Sequence, residues 1–187
     1  MGAGVIPLAV NNDEVWFLFQ KTFTGRKVGH LIDFGGGLGK TEDHRDTAIR
    51  EFVEETETMY LEDDISLARR TEERINRQIN QVAGLFEHTL SNYPDWWRRR
   101  LTANPEKPKD WITYFIQFPY RDVADMNHAW KTDTSGRFKK RRELVWVSSD
   151  QLLDMYKHSP ENLWKRVRQL RDADMLIGEI RGELVGL

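Results

Sequence analysis

The pattern of apolar and polar positions predicts several short strands. Two apolar, β-type runs at residues 4–10 and 14–20 flank the turn-forming residues Asn11-Asn12-Asp13, which is typical of a hairpin. A third strand is predicted over 31–34, where the glycine cluster that follows should end it. Residues 111–120 give the strongest strand signal in the chain, and residues 143–147 give another.

Helical periodicity accounts for most of the remaining chain. A helix is predicted over about 43–56, because its apolar residues share one face. Further helices are predicted over about 149–156 and from Pro160 to about 182. Residues 121–140 are predicted to form a loop. The order indicates a mixed α/β domain over 1–187, with a partly helical insertion at about 60–109 and a C-terminal helix at about 160–182.

Composition narrows the class of protein. The chain has 187 residues, of which 39% are hydrophobic, and this favours a folded globular protein. The absence of cysteine excludes disulfides and Cys-based zinc sites, and it indicates a cytoplasmic protein. A net charge of -2 gives no reason to expect a nucleic-acid polymer as partner. Neither a signal peptide nor a membrane-spanning segment is expected, because no apolar run is long enough.

The stretch IDFGGGLGKTEDHRD, residues 32–46, contains fragments of two well-known motifs. The kinase signatures DFG and HRD stand in the reverse of the order that a kinase requires, and the chain is too short for two lobes. A P-loop ending in Gly39-Lys40-Thr41 would need glycine at position 34, where the chain has Phe34. Neither motif is therefore complete.

The helix that follows these glycines carries a crowded acidic face. Glu51, Glu54 and Glu55 are spaced i, i+3 and i+4, so their carboxylates converge on one side. They lie in the later turns, where the helix dipole favours cations. A divalent cation with hard oxygen ligands, Mg²⁺ or Mn²⁺, would resolve this conflict. On the charge pattern alone, a solvated acidic face is the alternative.

The spacing around this helix closely resembles the Nudix box, Gly-x5-Glu-x7-Arg-Glu-aliphatic-x-Glu-Glu-x-Gly-aliphatic. Six of its seven fixed positions match, namely Gly36, Glu42, Arg50, Glu51, Glu54 and Glu55. The chain departs from the pattern at three positions: Glu57 replaces the final glycine, Thr58 replaces the last aliphatic residue, and Phe34 replaces the usual proline. Because glycine supplies a left-handed cap, Glu57 predicts that the helix ends differently or continues.

The resemblance implies a Nudix-type α/β/α sandwich with a mixed β-sheet, plus the helical insertion. It implies hydrolysis of a phosphoanhydride in a nucleoside diphosphate linked to another group, with Mg²⁺ or Mn²⁺ as cofactor. Glu51, Glu54 and Glu55 would hold the metal, and Glu42 would either join them or brace the loop. Arg50 would orient the acids. Backbone at Gly35, Gly36 and Gly37 would pass close to metal or phosphate, because these residues have no Cβ.

Residues outside the box supply further candidates. The general base would come from the box, with Glu54 as its catalytic carboxylate, or from Glu143; a weaker candidate is Glu87. Alternatively, Glu143 is a strand-end acid neutralised by Arg141 or Arg142. The basic cluster Lys139-Lys140-Arg141-Arg142 is either a solvated loop or a contact for a polyanionic substrate, and Lys21 is judged in the same way.

Substrate and assembly stay open at the level of sequence. A nucleotide sugar, a dinucleotide and a nucleoside triphosphate all suit the motif. The rival function is a non-catalytic Nudix domain that senses a nucleotide or binds a protein. Glu57 and the insertion favour this rival, whereas the intact acids Glu51, Glu54 and Glu55 argue against it. Apolar residues of the last helix would serve either a homodimer interface or the core, namely Leu163, Val167 and Leu170.

Overall fold

The structure, a computed structural model, describes residues 1–102, 104, 106–107 and 109–186. The strands of these residues are β1 (Gly2–Asn11), β2 (Glu14–Thr22), β3 (Phe34–Gly37), β4 (Trp97–Arg99), β5 (Trp111–Gln117) and β6 (Arg142–Ser148). The α-helices are α1 (His44–Glu55), α2 (Glu72–Asn92), α3 (Ala124–Thr132), α4 (Ser149–His158), α5 (Lys165–Arg168) and α6 (Ala173–Val185).

The strands form one mixed sheet. Its order is β4-β5-β1-β2-β6, and β3 pairs with the first half of β1. β1 runs parallel to β5, whereas its pairings with β2 and β3 are antiparallel. The predicted hairpin is present, and both Asn12 and Asp13 have positive φ, which is the conformation that its tight turn requires.

Two apolar cores cover the two faces of the sheet. One contains residues of α1, α2 and α3, with Phe52, Phe86 and Trp130 fully buried. The other contains residues of α4, α5 and α6, with Val167 and Ile177 fully buried. Because a sheet with helices on both faces is an α/β/α sandwich, the predicted fold class is confirmed.

The region predicted as an insertion contributes to the main core. Val82 and Phe86 of α2 pack in the same cluster as Phe52 of α1. Trp96 is buried and stacks on Tyr93 with ring centroids 3.9 Å apart, and β4 then extends the main sheet. Trp96 therefore packs in the core that α6 helps to form, and the region has no separate core around this residue.

Three predicted elements differ from the structure. The glycine cluster does not end the third strand but forms most of β3. Gly35 pairs with β1 so closely that no side chain would fit there, so glycine allows this pairing. The predicted loop over 121–140 contains α3. The single helix predicted from Pro160 is interrupted, because the backbone of Leu163 and Trp164 pairs with Leu31.

The apolar residues of that C-terminal region lie in the core. Leu163, Val167 and Leu170 are all buried against the sheet. They therefore offer no surface for self-association, and the homodimer stays a prediction without this support. None of the helices in the described ranges is long and apolar enough to cross a membrane.

Candidate active site

Helix α1 presents the acidic residues because its opposite face is anchored in the core. Asp43 caps the helix, and its side chain accepts a hydrogen bond from the Asp46 amide at 2.8 Å. Ile49, Phe52 and Val53 are buried against the sheet and α2. The predicted bounds of 43–56 are confirmed within one residue at each end. Glu51, Glu54 and Glu55 consequently face a cleft rather than the core.

Arg50 joins three carboxylates of the predicted set. Its Nε and Nη2 donate to the two oxygens of Glu42 at 2.8 and 3.0 Å. Its Nη1 donates to Glu51 and to Glu54, both at 3.1 Å. A planar guanidinium suits such paired contacts with carboxylates. Arg50 thus fixes the relative positions of these acids, which is the orienting geometry expected from the sequence.

Glu42 braces the loop ahead of α1. Besides Arg50, its Oε1 accepts hydrogen bonds from the Gly39 amide and from Thr47 Oγ1, both at 3.0 Å. The hydrogen bonds with Arg50 are the main reason why the pKa of Glu42 is lowered. Because both oxygens already have partners, this geometry favours the bracing role over a place in the metal shell.

Glu55 is held against the sheet. Its Oε1 accepts a hydrogen bond from the Gly35 amide at 2.6 Å, and its Oε2 accepts one from Gln20 Nε2 at 3.0 Å. Arg142 donates to the backbone oxygen of Glu55 at 2.8 Å and lies 3.8 Å from its Oε2. Burial raises the pKa of Glu55 to about 7, although the two nearby arginines Arg142 and Arg166 oppose this shift.

The predicted glycines differ in how closely the chain approaches them. A Cβ at Gly36 would lie 2.3 Å from Glu51 Oε1, so only glycine leaves room for this carboxylate. A Cβ at Gly35 would lie 2.5 Å from the Ala3 oxygen of β1. At Gly37 the nearest atom would be 3.9 Å away, so the position is open. Gly39, which was not among the predicted residues, is as closely approached as Gly36, in its case by Glu42.

The end of α1 explains the departure at Glu57. The Glu57 amide donates to the Glu54 oxygen at 3.0 Å, and the Thr58 amide donates to the Val53 oxygen at 3.1 Å. These two bonds form a Schellman cap, in which the residue at position 57 is left-handed. Glu57 has φ +52°, so it adopts the backbone conformation of the glycine that it replaces. The expectation that the helix continues or ends differently is wrong.

The acids line a cleft of about 350 Å³ that basic residues share. Its walls carry Glu51, Glu54, Glu55, Glu57, Arg70, Lys139, Lys140 and Arg142. Carboxylates are the donors that Mg²⁺ and Mn²⁺ prefer, so the chemistry of this set fits such an ion. In the described part of the chain, however, no three acidic or histidine side chains are grouped closely enough to hold one ion. As they stand, these side chains would supply an ion with fewer than three carboxylate ligands.

Three of the predicted residues outside the box do not line this cleft. Glu143 lies in a neighbouring pocket of about 820 Å³, and it makes no ion pair with Arg141 or Arg142 in the described structure. Arg141 instead donates to backbone oxygens at the end of α3, at Trp130 and Asp133. Lys21 stands opposite Glu143 in the β2–β6 pairing and faces a third pocket beside α4. Their functional roles stay predictions.

Sequence reasoning missed residues that support the site from behind. Gln20 Nε2 bonds both Glu55 and the Asp33 backbone oxygen, at 3.0 and 2.9 Å. Arg166 forms an ion pair with Asp33, which is fully buried. The guanidinium of Arg166 also lies over the ring of Trp111, 4.6 Å from the ring centroid. Asp33 and Arg166 are far apart in the chain, so no local spacing indicates the pair.

Comparisons with known proteins bear on the fold. No family model matches the chain. An uncharacterized protein of Acanthamoeba polyphaga mimivirus is 26% identical over 184 residues, and the match covers 82% of this chain but only 58% of that protein. The chain thus spans less than two thirds of the length of the curated relative that it matches.

Solved structures resemble the chain over more of its length than this relative does. The Ap4A hydrolase of C. elegans, in a binary complex, is 12% identical and has a TM-score of 0.50, with all of this chain and 98% of that chain covered. The Nudix hydrolase RenU of M. smegmatis is 14% identical, with a TM-score of 0.46 and coverages of 100% and 88%. Identities this low concern the fold alone. On its sheet topology, its helix layers and its likeness to the Ap4A hydrolase structure, the chain has the fold of the Nudix hydrolases.

Proposed function

We propose that the chain is a divalent-metal-dependent hydrolase that cleaves a phosphoanhydride bond in a nucleoside diphosphate linked to another group. One observation carries the proposal: a single cleft joins Glu51, Glu54 and Glu55 to the cationic side chains of Lys139, Lys140 and Arg142. The carboxylates of the acidic residues are suitable ligands for the metal ion, and the cationic side chains are suitable partners for the phosphates of the substrate. A solvated acidic face would not need basic residues opposite it.

Each side chain has a task in this proposal. Glu51, Glu54 and Glu55 hold the Mg²⁺ or Mn²⁺ ion, which when bound neutralises the diphosphate and makes a water molecule more acidic. Arg50 holds the carboxylates of Glu51 and Glu54 close together, because its Nη1 donates a hydrogen bond to each. Arg142 donates a hydrogen bond to the backbone oxygen of Glu55 and so caps the C-terminal end of α1. The flanking lysines contact the negative charge of the substrate.

The proton acceptor is a choice between the box and Glu143. Glu51, Glu54 and Glu55 line the cleft, and a general base must lie within hydrogen-bond reach of the water that it deprotonates. Glu143 lies in the adjoining pocket instead. The geometry therefore favours a box carboxylate over Glu143 as the proton acceptor.

A second candidate is a non-catalytic domain that binds a nucleotide. Its specific support is that Arg50 occupies Glu42, Glu51 and Glu54, and that no three ligating side chains of the described residues form a ready cation site. Such a domain would bind nucleoside diphosphates without turning them over, and it would not need the metal to do so.

A substrate screen separates the two candidates. The purified chain is incubated with nucleotide sugars, dinucleotides, dinucleoside polyphosphates and nucleoside triphosphates, with Mg²⁺, with Mn²⁺ or with a chelator. Dinucleoside polyphosphates are included because one structural relative is an Ap4A hydrolase by name. We expect metal-dependent release of a nucleoside monophosphate from at least one class. Binding without turnover of any compound would contradict the enzymatic function and support the second candidate.

A further inference from the structure

A second cavity, which we call the α3 pocket, adjoins the acidic cleft. It has a volume of about 820 Å³ and is lined by residues of α3, of the loop after β2 and of the start of β6. A cavity of this size is large enough for a small organic molecule or for one half of a larger one. Lys139, Lys140 and Arg142 line both this pocket and the acidic cleft, so the two cavities meet at these residues.

The α3 pocket carries an excess of positive charge. One carboxylate, that of Glu143, lines it together with five cationic side chains, namely Lys131, Lys139, Lys140, Arg141 and Arg142. Arg142 forms an ion pair with Glu55, but no carboxylate of the described residues forms one with any of the other four. The net charge of the whole chain is -2, so this excess is local. Clustered charges of one sign attract an anionic ligand.

Hydrogen bonds to the backbone hold the walls of the α3 pocket in place. The side chain of Asn127 donates to the Leu144 oxygen at 3.0 Å and accepts from the Leu144 amide at 2.8 Å, which ties α3 to β6. Arg141 donates to the backbone oxygens of Trp130 and Asp133 at the end of α3. Lys131, which lies on α3, therefore has a defined position beside the cleft.

The α3 pocket also offers aromatic surface. Phe23, in the loop after β2, is 59% exposed although it is large and apolar, and it lines the pocket together with His128. Flat aromatic side chains stack on nucleobases, and cationic side chains bind phosphates. The combination suits an organic group that bears a phosphate. A neutral sugar would leave the cations of this pocket without a partner.

We propose that the α3 pocket selects substrates whose second group carries a phosphate in addition to the scissile diphosphate. This inference rests on the proposed function, because it takes the diphosphate to lie in the acidic cleft. The additional phosphate contacts Lys131 and the cations beside it, and the apolar part of the same group contacts Phe23. Among the substrate classes that suit the motif, dinucleotides with additional phosphates are thus favoured over nucleotide sugars.

The test compares compounds that differ in phosphate content. NADPH is paired with NADH, coenzyme A with dephospho-coenzyme A, and diadenosine tetraphosphate with diadenosine diphosphate, and UDP-glucose represents a neutral sugar. kcat and KM are measured with Mn²⁺ for wild type and for Lys131→Gln, which removes one positive charge from the pocket. Lys157→Gln is the matched control, because Lys157 is an exposed lysine of α4 that lines neither cavity.

We expect wild type to prefer the more phosphorylated member of at least one pair by about tenfold or more in kcat/KM. Lys131→Gln should reduce this preference by about threefold or more through a higher KM, and Lys157→Gln should preserve it. Equal turnover within every pair, a preference that Lys131→Gln leaves intact, or turnover of UDP-glucose alone would overturn the inference, and the proposed function would then stand. No turnover of any compound, here or in the wider substrate screen, would contradict both proposals.

Discussion

Glu57 combines a left-handed backbone with a buried carboxylate, whose ion pair with Arg70 spans 3.7 Å. For a residue with a Cβ, the left-handed conformation costs roughly 1–2 kcal/mol. Glycine adopts this conformation without the steric cost. The residue that replaces the box glycine therefore lowers stability locally.

Glu57→Gly should raise the free energy of unfolding of the metal-free protein by about 1 kcal/mol or more, because it removes both the strain and the buried charge. Urea unfolding in the presence of a chelator measures the change. Asn12→Gly is the control: Asn12 also has positive φ but lies in an exposed turn, where asparagine tolerates that conformation. An unchanged or lower free energy of unfolding in Glu57→Gly would contradict this account of the cap.

Glu42→Gln should lower the free energy of unfolding by about 2 kcal/mol near neutral pH, because Arg50 loses its charged partner. The pKa of Glu42 is lowered in the folded state. Its contribution is therefore present above its unfolded pKa and is lost as the pH falls through the lowered folded value.

Urea unfolding at several pH values checks this dependence. The gap in unfolding free energy between wild type and Glu42→Gln should shrink as the pH drops below about 4, where the wild-type carboxyl also becomes neutral. A gap that stays constant with pH would show that the ion pair is not its cause.

Among the helices and strands, the sequence predicts best those whose patterns lie within neighbouring residues. Helix α1 is predicted within one residue because its apolar face is read from neighbouring positions. Helix α3 was missed, although Met126 and Trp130, its buried residues, are spaced i and i+4. The two breaks on either side of α5 were missed for another reason, because contacts distant in sequence override the local preference for helix. Ahead of α5, Leu163 pairs with Leu31; ahead of α6, Leu170 pairs with Arg100, and Asp172 adopts φ +52°.

Helix α2 should be essential to the main core, although it lies in the region predicted as an insertion. Phe86 is fully buried and packs against Tyr114 of β5. Phe86→Ala should lower the free energy of unfolding by about 3–5 kcal/mol. Leu67→Ala is the control, because Leu67 is 51% exposed and should change stability little. Equal effects of the two variants in chemical unfolding would contradict a shared core.

Across the whole molecule, the buried pair of Asp33 and Arg166 ties the C-terminal region to the strand before the box. Arg166 also donates a hydrogen bond to the backbone oxygen of Gly35, the same residue whose amide donates to Glu55. Arg166→Met leaves Asp33 buried without a partner, so it should lower the free energy of unfolding by about 3–5 kcal/mol.

The double variant Asp33→Asn/Arg166→Met should be more stable than Arg166→Met alone, because it no longer buries an unpaired charge. Thermal and urea unfolding measure the double variant and the two single variants, Asp33→Asn and Arg166→Met. If the double variant loses the sum of the two single effects, the two residues are not energetically coupled.

The candidate site was predictable to the extent that it lies on one helix. Spacing along α1 indicates Arg50, Glu51, Glu54 and Glu55 together. The supporting residues Gln20, Asp33 and Arg166 come from other strands and helices, so only the folded chain shows their contacts. For the same reason, the sequence did not show that Glu143 and Arg141 lie outside the cleft.

The central claim is that the acids of α1 carry out hydrolysis. Its most direct test is kcat for the best compound of the screen, measured with Mn²⁺ in wild type, Glu54→Gln and the exposed control Glu183→Gln. Because a metal contributes several kcal/mol to stabilising the reacting charge, Glu54→Gln should lower kcat by about 100-fold or more, and Glu183→Gln should leave it unchanged. A folded Glu54→Gln protein that turns over substrate at the wild-type rate would contradict the claim.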